Sequence, residues 1–376
     1  MKHLMFLVLA VAAQTAVAAT PEPLFHLSFD GHPRAEKSAG NPEPLVARDI
    51  EFGPGLVGEA VQIGEKSVLE YSALSNLRQD RGTVTLWYCP DWDASEQPGT
   101  SSDRSHWKAL FCNPRPTPRT GSGALWFWFW GGSLRGDMSD SMDNYTHGPA
   151  PVRKGVWHHL AFVWGSDGHT MFMDGKEIGG KSDSYNPLRI VKPMQPDAGN
   201  FASFFIGNHG GAEQARGRFD EVRIYAEPLS EEQVRSDMAR FHPVRMDLSA
   251  RYIREGENTQ VECQLTNLDS VPVSREWTWR MTGPGGWSRD GKIQLDLPPG
   301  ASQTMSLDIP ATAPGRIHVE LRNEQDVSVG SLQAEIWALA ENALLAAPDV
   351  AMRSTLLEEI NPVTVFSSES RFSHIG

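Results

Sequence analysis

Short apolar runs alternate with turn-forming clusters through most of this chain of 376 residues. Between residues 21 and 226, runs rich in Val, Ile, Phe and Trp are separated by Gly, Pro, Asp, Asn and Ser; examples are "PLFHLSFDG", "GTVTLWYCPDWD" and "FASFFIGNHGG". Such a sequence pattern is typical of all-β proteins. Many short strands over about 200 residues predict a β-sandwich or jelly roll within one domain.

One helix is predicted directly after these strands, in "PLSEEQVRSDMARF". Ser230 stands three residues before Gln233, which is the spacing of a capping box. Glu231 and Glu232 lie in the first turn, where the helix dipole favours negative charge. Pro243 should end the helix. We therefore predict a first domain at residues 20–242 that closes with this helix.

A second β-rich region follows at residues 243–336. Segments such as "NTQVECQLTNLDS" and "GRIHVELRNEQ" alternate apolar and polar residues between Pro-Gly and Asn-Asp turns. About 90 residues in some seven strands fit a small Ig-like β-sandwich. Residues 337–376 do not continue this strand-like pattern, and they form either a tail or the start of a further unit.

The first 19 residues have the features of an export signal. A basic start at Lys2 is followed by the apolar run "LMFLVLAVAA", and Ala16 and Ala18 supply small residues for cleavage. The run is too short to remain as a membrane-spanning helix. We expect a secreted, periplasmic or cell-surface protein of a bacterium, with no membrane insertion after signal cleavage.

Charge and cysteine content restrict the chemistry further. The formal net charge of −13 argues against nucleic acid as a main partner. Export permits disulfides, and Cys89 and Cys112 each end a strand-like segment. They either form a bridge across an antiparallel pair or are two small buried residues. No Cys/His spacing resembles a zinc site.

The stretch "GALWFWFWGG" at residues 123–132 contains the longest aromatic run. On a strand, alternate residues point to opposite faces. One face then carries Leu125, Phe127 and Phe129, which we place in the core, and the other carries Trp126, Trp128 and Trp130. Since a sandwich strand buries only one face between its sheets, the Trp face is either a ligand surface or covered by a loop. Residues 131–154 are the natural cover.

Three stretches resemble the LamG-like jelly-roll domains of the concanavalin A-like lectin/glucanase superfamily. They are "LFHLSFDG", "GVWHHLAFVWGSDGHTMFMDGKEIG" and "GRFDEVRIYAEPLSEEQV", and the resemblance covers about residues 21–240. It implies two antiparallel sheets, one of them curved, with a concave face that binds sugars or other ligands in many relatives. In this context His158 and His159, which point to opposite faces, are expected to be structural.

The resemblance also implies a structural calcium ion near one end of the sandwich. Asp30 ends the first strand and Asp220 lies in the last, and these strands are neighbours in the family. Calcium takes six to eight oxygen ligands, so two carboxylates are an incomplete set. The alternative role of Asp30 is that of a turn residue before Gly31. The alternative role of Asp220 is that of a salt-bridge partner of an arginine such as Arg218 or Arg223.

Catalysis is not indicated by the sequence. Glucanases of this superfamily carry Glu-x-Asp-x-x-Glu on one strand, and residues 21–240 contain no such cluster. Asp220 and Glu221 are adjacent and are predicted to face opposite ways. We therefore expect a non-catalytic protein that binds a polysaccharide or glycan. The alternatives are an accessory part of a polysaccharide-degrading enzyme, or a structural adhesion or spacer module.

Overall fold

The computed structural model describes residues 20–94, 107–113, 124–139, 145–166, 168–178, 202–249, 252–254, 259–269, 271–310, 315–322 and 328–337. The predicted export signal and the residues after Trp337 lie outside these ranges. The described residues are almost entirely β-structure, as predicted. Among them, no helix has the length and apolar character needed to cross a membrane.

Fourteen strands form one continuous sheet in the first region. They are β1 (Phe25–Leu27), β2 (Lys37–Ser38), β3 (Pro44–Pro54), β4 (Glu59–Ser72), β5 (Gly82–Pro90), β6 (Trp107–Cys112), β7 (Ala124–Trp130), β8 (Ser133–Ser139), β9 (Tyr145–Pro149), β10 (His158–Gly165), β11 (Gly168–Met173), β12 (Lys176–Ile178), β13 (Ser203–Ile206) and β14 (Gly217–Tyr225). Their order is β12-β11-β10-β5-β14-β4-β13-β6-β7-β8-β9, with β1 on β14, β2 on β1 and β3 on β4.

The long strand β4 connects two layers of this sheet. Its first half pairs with β14 and its second half pairs with β13. Strands β10 and β7 are six positions apart in the order, which is roughly 29 Å in a flat sheet. Yet the rings of Phe162 on β10 and Phe127 on β7 stack with centroids 5.6 Å apart. The sheet therefore folds over itself into a sandwich. We call the β12-to-β14 side layer A and the β13-to-β9 side layer B.

The space between the layers is filled by apolar side chains from both. Leu125, Phe127 and Phe129 of β7 have no exposed surface and belong to this core, as predicted. They pack with inward residues of layer A, among them Leu86, Leu160, Phe162, Phe219 and Ile224. This arrangement confirms the predicted jelly-roll sandwich.

A β-bulge interrupts the alternation in β14. The register shifts between Asp220 and Arg223, so that Phe219 and Val222 both lie in the core. The intervening Asp220 and Glu221 both point away from the core, and Glu221 has a φ of 51°. The prediction that they face opposite ways was wrong, because a bulge adds a residue to one strand and breaks the period of two.

The predicted helix is present as α1 (Glu231–Ala239), with its capping box between Ser230 and Gln233 intact. It lies against the outer face of layer A. Val234 contacts Tyr225 and Leu229, and Met238 packs with Trp87 and Trp157 on that face. The helix therefore closes one outer surface of the sandwich.

A buried network of polar groups holds α1 on layer A. Asp237, on the inner side of the helix, accepts a hydrogen bond from Tyr225 Oη (2.5 Å) and lies 3.3 Å from His159 Nε2 and 3.9 Å from Arg223 Nη1. Burial alone would raise the pKa of Asp237. The hydrogen bond to His159 and the charge of Arg223 outweigh it, so the pKa lies well below its usual range.

Eight further strands are described in the C-terminal region. They are β15 (Val244–Leu248), β16 (Tyr252–Arg254), β17 (Thr259–Asn267), β18 (Val273–Thr282), β19 (Ser288–Leu297), β20 (Ser302–Ile309), β21 (Gly315–Arg322) and β22 (Ser328–Trp337). One sheet has the order β15-β17-β20 and the other β16-β22-β21-β18-β19. Between them lies a separate apolar core that includes Cys263 and Trp277. A second β-sandwich is thus present, whereas its Ig-like type and the division at residue 242 remain predictions.

The two sandwiches contact each other through ion pairs and apolar packing. Arg153 Nη1 lies 2.5 Å from Glu320 Oε1, and Lys176 pairs with Asp247. Leu268 of the second sandwich packs near Met238 of the helix. These contacts join the second sandwich to α1, to β12 and to the segment between β9 and β10.

Cys89 and Cys112 do not form a disulfide. Cys89 lies on β5, between β10 and β14, whereas Cys112 lies on β6, between β13 and β7. Both are buried free thiols, and burial raises the pKa of each. The alternative of a Cys89–Cys112 disulfide was wrong, because β5 and β6 belong to different layers and are not paired.

Replacing Asp237 by Asn should lower the free energy of unfolding by about 3 kcal/mol, because His159 would lose its buried carboxylate partner and Arg223 would keep only Glu221. Urea unfolding followed by circular dichroism measures this change. The matched control is Glu232→Gln on the exposed side of the same helix, which should change stability by about 0.5 kcal/mol or less. Equal effects of the two changes would show that the network does not hold the helix.

Candidate functional site

The tryptophan side chains of β7 lie on the outer face of layer B. They belong to a second apolar cluster, separate from the core, which we call the tryptophan face. Its buried members are Val68, Trp107, Ala109, Cys112, Trp126, Trp128 and Phe205, with Val46 and Trp130 at its margin. The face extends across β3, β4, β13, β6 and β7 because the outward positions of these strands are in register.

The exposed fraction of the side chain increases along β7 from Trp126 to Trp130. Trp126 and Trp128 are 2% and 4% exposed, whereas Trp130 is half-buried. The rings of Trp128 and Trp130 are stacked, with centroids 6.0 Å apart and planes 11° apart. Trp107 on β6 packs against Trp128 at 4.5 Å. The accessible end of the tryptophan face is therefore the Trp130 end.

The covered end lies beneath the loop formed by residues 207–215. The ring of His209 lies 4.4 Å from that of Trp126. The loop is held on β6 by two backbone hydrogen bonds, from Gly207 N to Leu110 O and from Ala109 N to Glu213 O, each 2.8 Å. Sequence reasoning missed this cover, because "GNHGGAEQARG" indicates a turn without saying which face it folds over.

The prediction that residues 131–154 cover the tryptophan face is wrong for the described part of this segment. Strand β8 forms an antiparallel pair with β7, and β9 pairs with β8. These residues extend layer B instead of lying over it. Residues 140–144 of the segment lie outside the described ranges.

A charged side chain of β8, Arg135, lies at the accessible end of the tryptophan face. Arg135 is in register with Trp128, and its guanidinium carbon lies 4.0 Å from the centroid of the Trp130 ring and 5.6 Å from that of Trp128. His147 on β9 is the neighbour of Arg135 on the other side. Burial lowers the pKa of His147, and the charge of Arg135 lowers it further. His147 is therefore mostly neutral at neutral pH.

The outer face of layer A offers no comparable surface among the described residues. Trp87 and Trp157 lie there with 0% and 1% exposure, beneath Met238 of α1.

The adjacent residues His158 and His159 lie on opposite faces of β10. His159 points to the outer side, towards Asp237, while His158 points to the other face and pairs with Asp174 at 2.8 Å. Both histidines are fully buried, consistent with the structural role expected of them.

The two predicted metal ligands approach one turn between β3 and β4. Asp220 Oδ2 accepts hydrogen bonds from Leu56 N (2.8 Å) and Val57 N (3.3 Å), and Asp30 Oδ1 accepts one from Glu59 N (2.9 Å). Gly58 lies in this turn and has a φ of +60°, and a Cβ on it would collide with the Asp30 carboxylate. The fold thus brings Asp30 and Asp220 to the same five-residue turn.

Asp220 is fully buried. Burial raises its pKa to about 8, and the nearby Glu221 carboxylate adds to the increase. Its Oδ1 atom meets no hydrogen-bond donor among the described residues. Those residues contain no group of three or more His, Cys, Asp or Glu side chains positioned for a metal ion.

Comparison of structures finds loose similarity to several proteins. Domain 4 of AbnA, an extracellular GH43 arabinanase from Geobacillus stearothermophilus in complex with arabinotriose, is 20% identical, with a TM-score of 0.41 over 57% of this chain and 96% of that domain. Trypanosoma rangeli sialidase with sialic acid is 13% identical, with a TM-score of 0.43 over 62% of this chain and 36% of the sialidase. A pentraxin from Limulus polyphemus is 17% identical, with a TM-score of 0.29 over 42% of this chain and 68% of the pentraxin.

Sequence comparison relates the first sandwich to a protein superfamily. No curated protein matches the chain. Residues 64–235, however, match the family model of the concanavalin A-like lectin/glucanases superfamily. The match begins within β4 and ends within α1, so it spans most strands of both layers. Residues 64–235 are therefore similar to the concanavalin A-like lectin/glucanases superfamily, which is the superfamily that the sequence resemblance predicted.

Proposed function

We propose that this protein is an exported, non-catalytic carbohydrate-binding protein whose first sandwich binds a polysaccharide or glycan on the tryptophan face. The export signal read from residues 1–19 supports a secreted, periplasmic or cell-surface location, where polysaccharides are encountered. The superfamily includes sugar-binding members, which supports the ligand class. Fold alone does not assign a function, so the proposal depends on the chemistry of the face.

The observation that carries the proposal is the stacked pair of Trp128 and Trp130 at the accessible end of the face. Aromatic rings pack on the apolar faces of sugar rings, and ligand sites combine aromatic walls with a few polar groups that fix orientation. Here those polar groups are Arg135 and His147.

The location of the perturbed carboxyl groups supports a non-catalytic role. In most glycoside hydrolase families, hydrolysis requires two carboxyl groups, one on either side of the bond to be broken. The pKa values of Asp220 and Asp237 are strongly shifted, upward and downward respectively. Both side chains are fully buried, one under the β3–β4 turn and the other under α1. Neither lies on the tryptophan face, where a bound sugar would be.

Replacing Trp130 by Ala should weaken glycan binding about fivefold or more, because an aromatic stacking contact contributes on the order of 1 kcal/mol. Affinity electrophoresis against a panel of polysaccharides identifies the ligand, and calorimetry then gives the Kd. The control is Trp279→Ala, which removes a half-buried tryptophan of the second sandwich and should leave Kd unchanged. Absence of binding to every polysaccharide, with and without calcium, would contradict the proposal.

Calcium is the cofactor that we propose for the turn held by Asp30 and Asp220. Both residues supply carboxylate oxygens to the turn at residues 55–59, and backbone carbonyls of such a turn are the other ligand type that calcium prefers. The buried Oδ1 of Asp220 is an oxygen whose hydrogen-bonding capacity is unused among the described residues. A bound ion would stabilise the β3–β4 turn against β14.

Calcium at a hundredfold excess over its Kd should raise the melting temperature by about 5–10 °C, because such an excess contributes about 2.7 kcal/mol. Thermal melts with calcium and with chelator measure the shift. Asp220→Asn should abolish the difference, whereas Asp49→Asn, which removes an exposed carboxylate on β3, should preserve it. Identical wild-type melts under the two conditions would rule out a structural ion.

A further inference from the structure

The residues that follow α1 connect the two sandwiches by direct packing. The ring of His242 lies edge-on to that of Trp277, which belongs to the core of the second sandwich, with centroids 5.3 Å apart. The carbonyl oxygen of Pro243 accepts a hydrogen bond from Leu268 N at 2.7 Å. Leu268 also packs against the apolar cluster that contains Met238 of the helix. The chain therefore passes from one sandwich to the other in continuous contact with both.

A second contact between the sandwiches lies on the outer face of β21. Ile317 and Val319 of this strand point into the core of the second sandwich. His318 and Glu320 therefore lie on its outer face. Glu320 is 7% exposed and pairs with Arg153 of the first sandwich, with 2.5 Å between Oε1 and Nη1. His318 is thus placed in the junction, beside this ion pair.

The ring of His242 is uncharged at neutral pH. It is 2% exposed, and its Nδ1 atom meets no hydrogen-bond partner among the described residues. Burial lowers its pKa to about 4. The charge of Asp174, in the turn before β12, opposes this decrease, and the charge of Arg275 on β18 adds to it. A proton on His242 would place a charge in a dehydrated position between the sandwiches, which is unfavourable.

His318 is held neutral in the same way. Its ring is half-buried, and its Nδ1 atom has no hydrogen-bond partner in the described part of the chain. Burial lowers its pKa to about 4. The charges of Arg153 and Arg316 add to the decrease, and that of Asp93 opposes it. Because Arg153 and Asp93 belong to the first sandwich, a proton on His318 acts across the junction.

We infer that the junction between the two sandwiches is an acid-sensitive hinge, closed at neutral pH and opened when His242 and His318 each gain a proton. Opening returns both rings to water, where an imidazole titrates near pH 6.5. Because both pKa values are lowered in the closed form, closure is fully favoured above pH 6.5 and weakens as the pH falls towards 4. At pH 5, each histidine shifts the open-to-closed ratio by about thirtyfold. The inference concerns the junction and is independent of what the tryptophan face binds.

Small-angle X-ray scattering of the full chain from pH 7.5 to pH 5 measures the opening directly. The radius of gyration should increase as the pH falls, while the far-UV circular dichroism spectrum stays constant because the sandwiches separate without unfolding. The double variant with His242→Phe and His318→Gln should remain compact at pH 5, since neither replacement takes up a proton. The control His32→Gln removes a histidine whose side chain is 50% exposed, and it should leave the transition unchanged.

Leu268→Ala tests the hinge without altering either histidine. It removes apolar packing between the second sandwich and Met238, so closure is weaker at every pH and the transition should move to higher pH. A radius of gyration that stays constant in both the wild type and Leu268→Ala would overturn the inference. A transition that persists in the double variant would also overturn it. So would expansion that occurs only with loss of the circular dichroism signal, because the sandwiches would then be unfolding instead of separating.

Discussion

Burial of one face of every strand between two layers is the constraint on which the rest of the structure depends. Because the sheet folds over at β4, Phe127 of layer B meets Phe162 of layer A, and alternate residues of each strand are forced outward. Each layer therefore has an outer face that must be covered or used. The two outer faces differ, and that difference is the basis of the proposed function.

Layer A is closed by helix α1, and the closure depends on charge as well as on apolar packing. Asp237 connects the helix to Tyr225, His159 and Arg223 on the sheet. The second sandwich adds the Arg153–Glu320 and Lys176–Asp247 ion pairs. Layer B is covered at its Trp126 end by His209 and is accessible at its Trp130 end.

Much of this architecture could be predicted from local patterns. The turn clusters predicted the all-β class, the capping box predicted α1, and alternation in β7 separated the core residues from the tryptophans. The sequence could not show which neighbours these strands acquire. The bulge at Asp220, the loop over Trp126 and the position of Arg135 beside Trp130 all depend on register between segments distant in the chain. The Cys89–Cys112 alternative failed for the same reason, since strand order is not encoded in either segment alone.

A bound glycan is expected to contact the protein at the Trp130 end of layer B and to leave layer A undisturbed. The most direct measurement is a titration of the ¹⁵N-labelled protein with its best-binding oligosaccharide, observing the indole N–H signals assigned by single Trp→Phe variants. We expect the indole N–H signals of Trp130 and Trp128 to shift and those of Trp87 and Trp157 to remain unchanged. Shifts confined to Trp87 and Trp157, or to Trp277 of the second sandwich, would contradict this expectation.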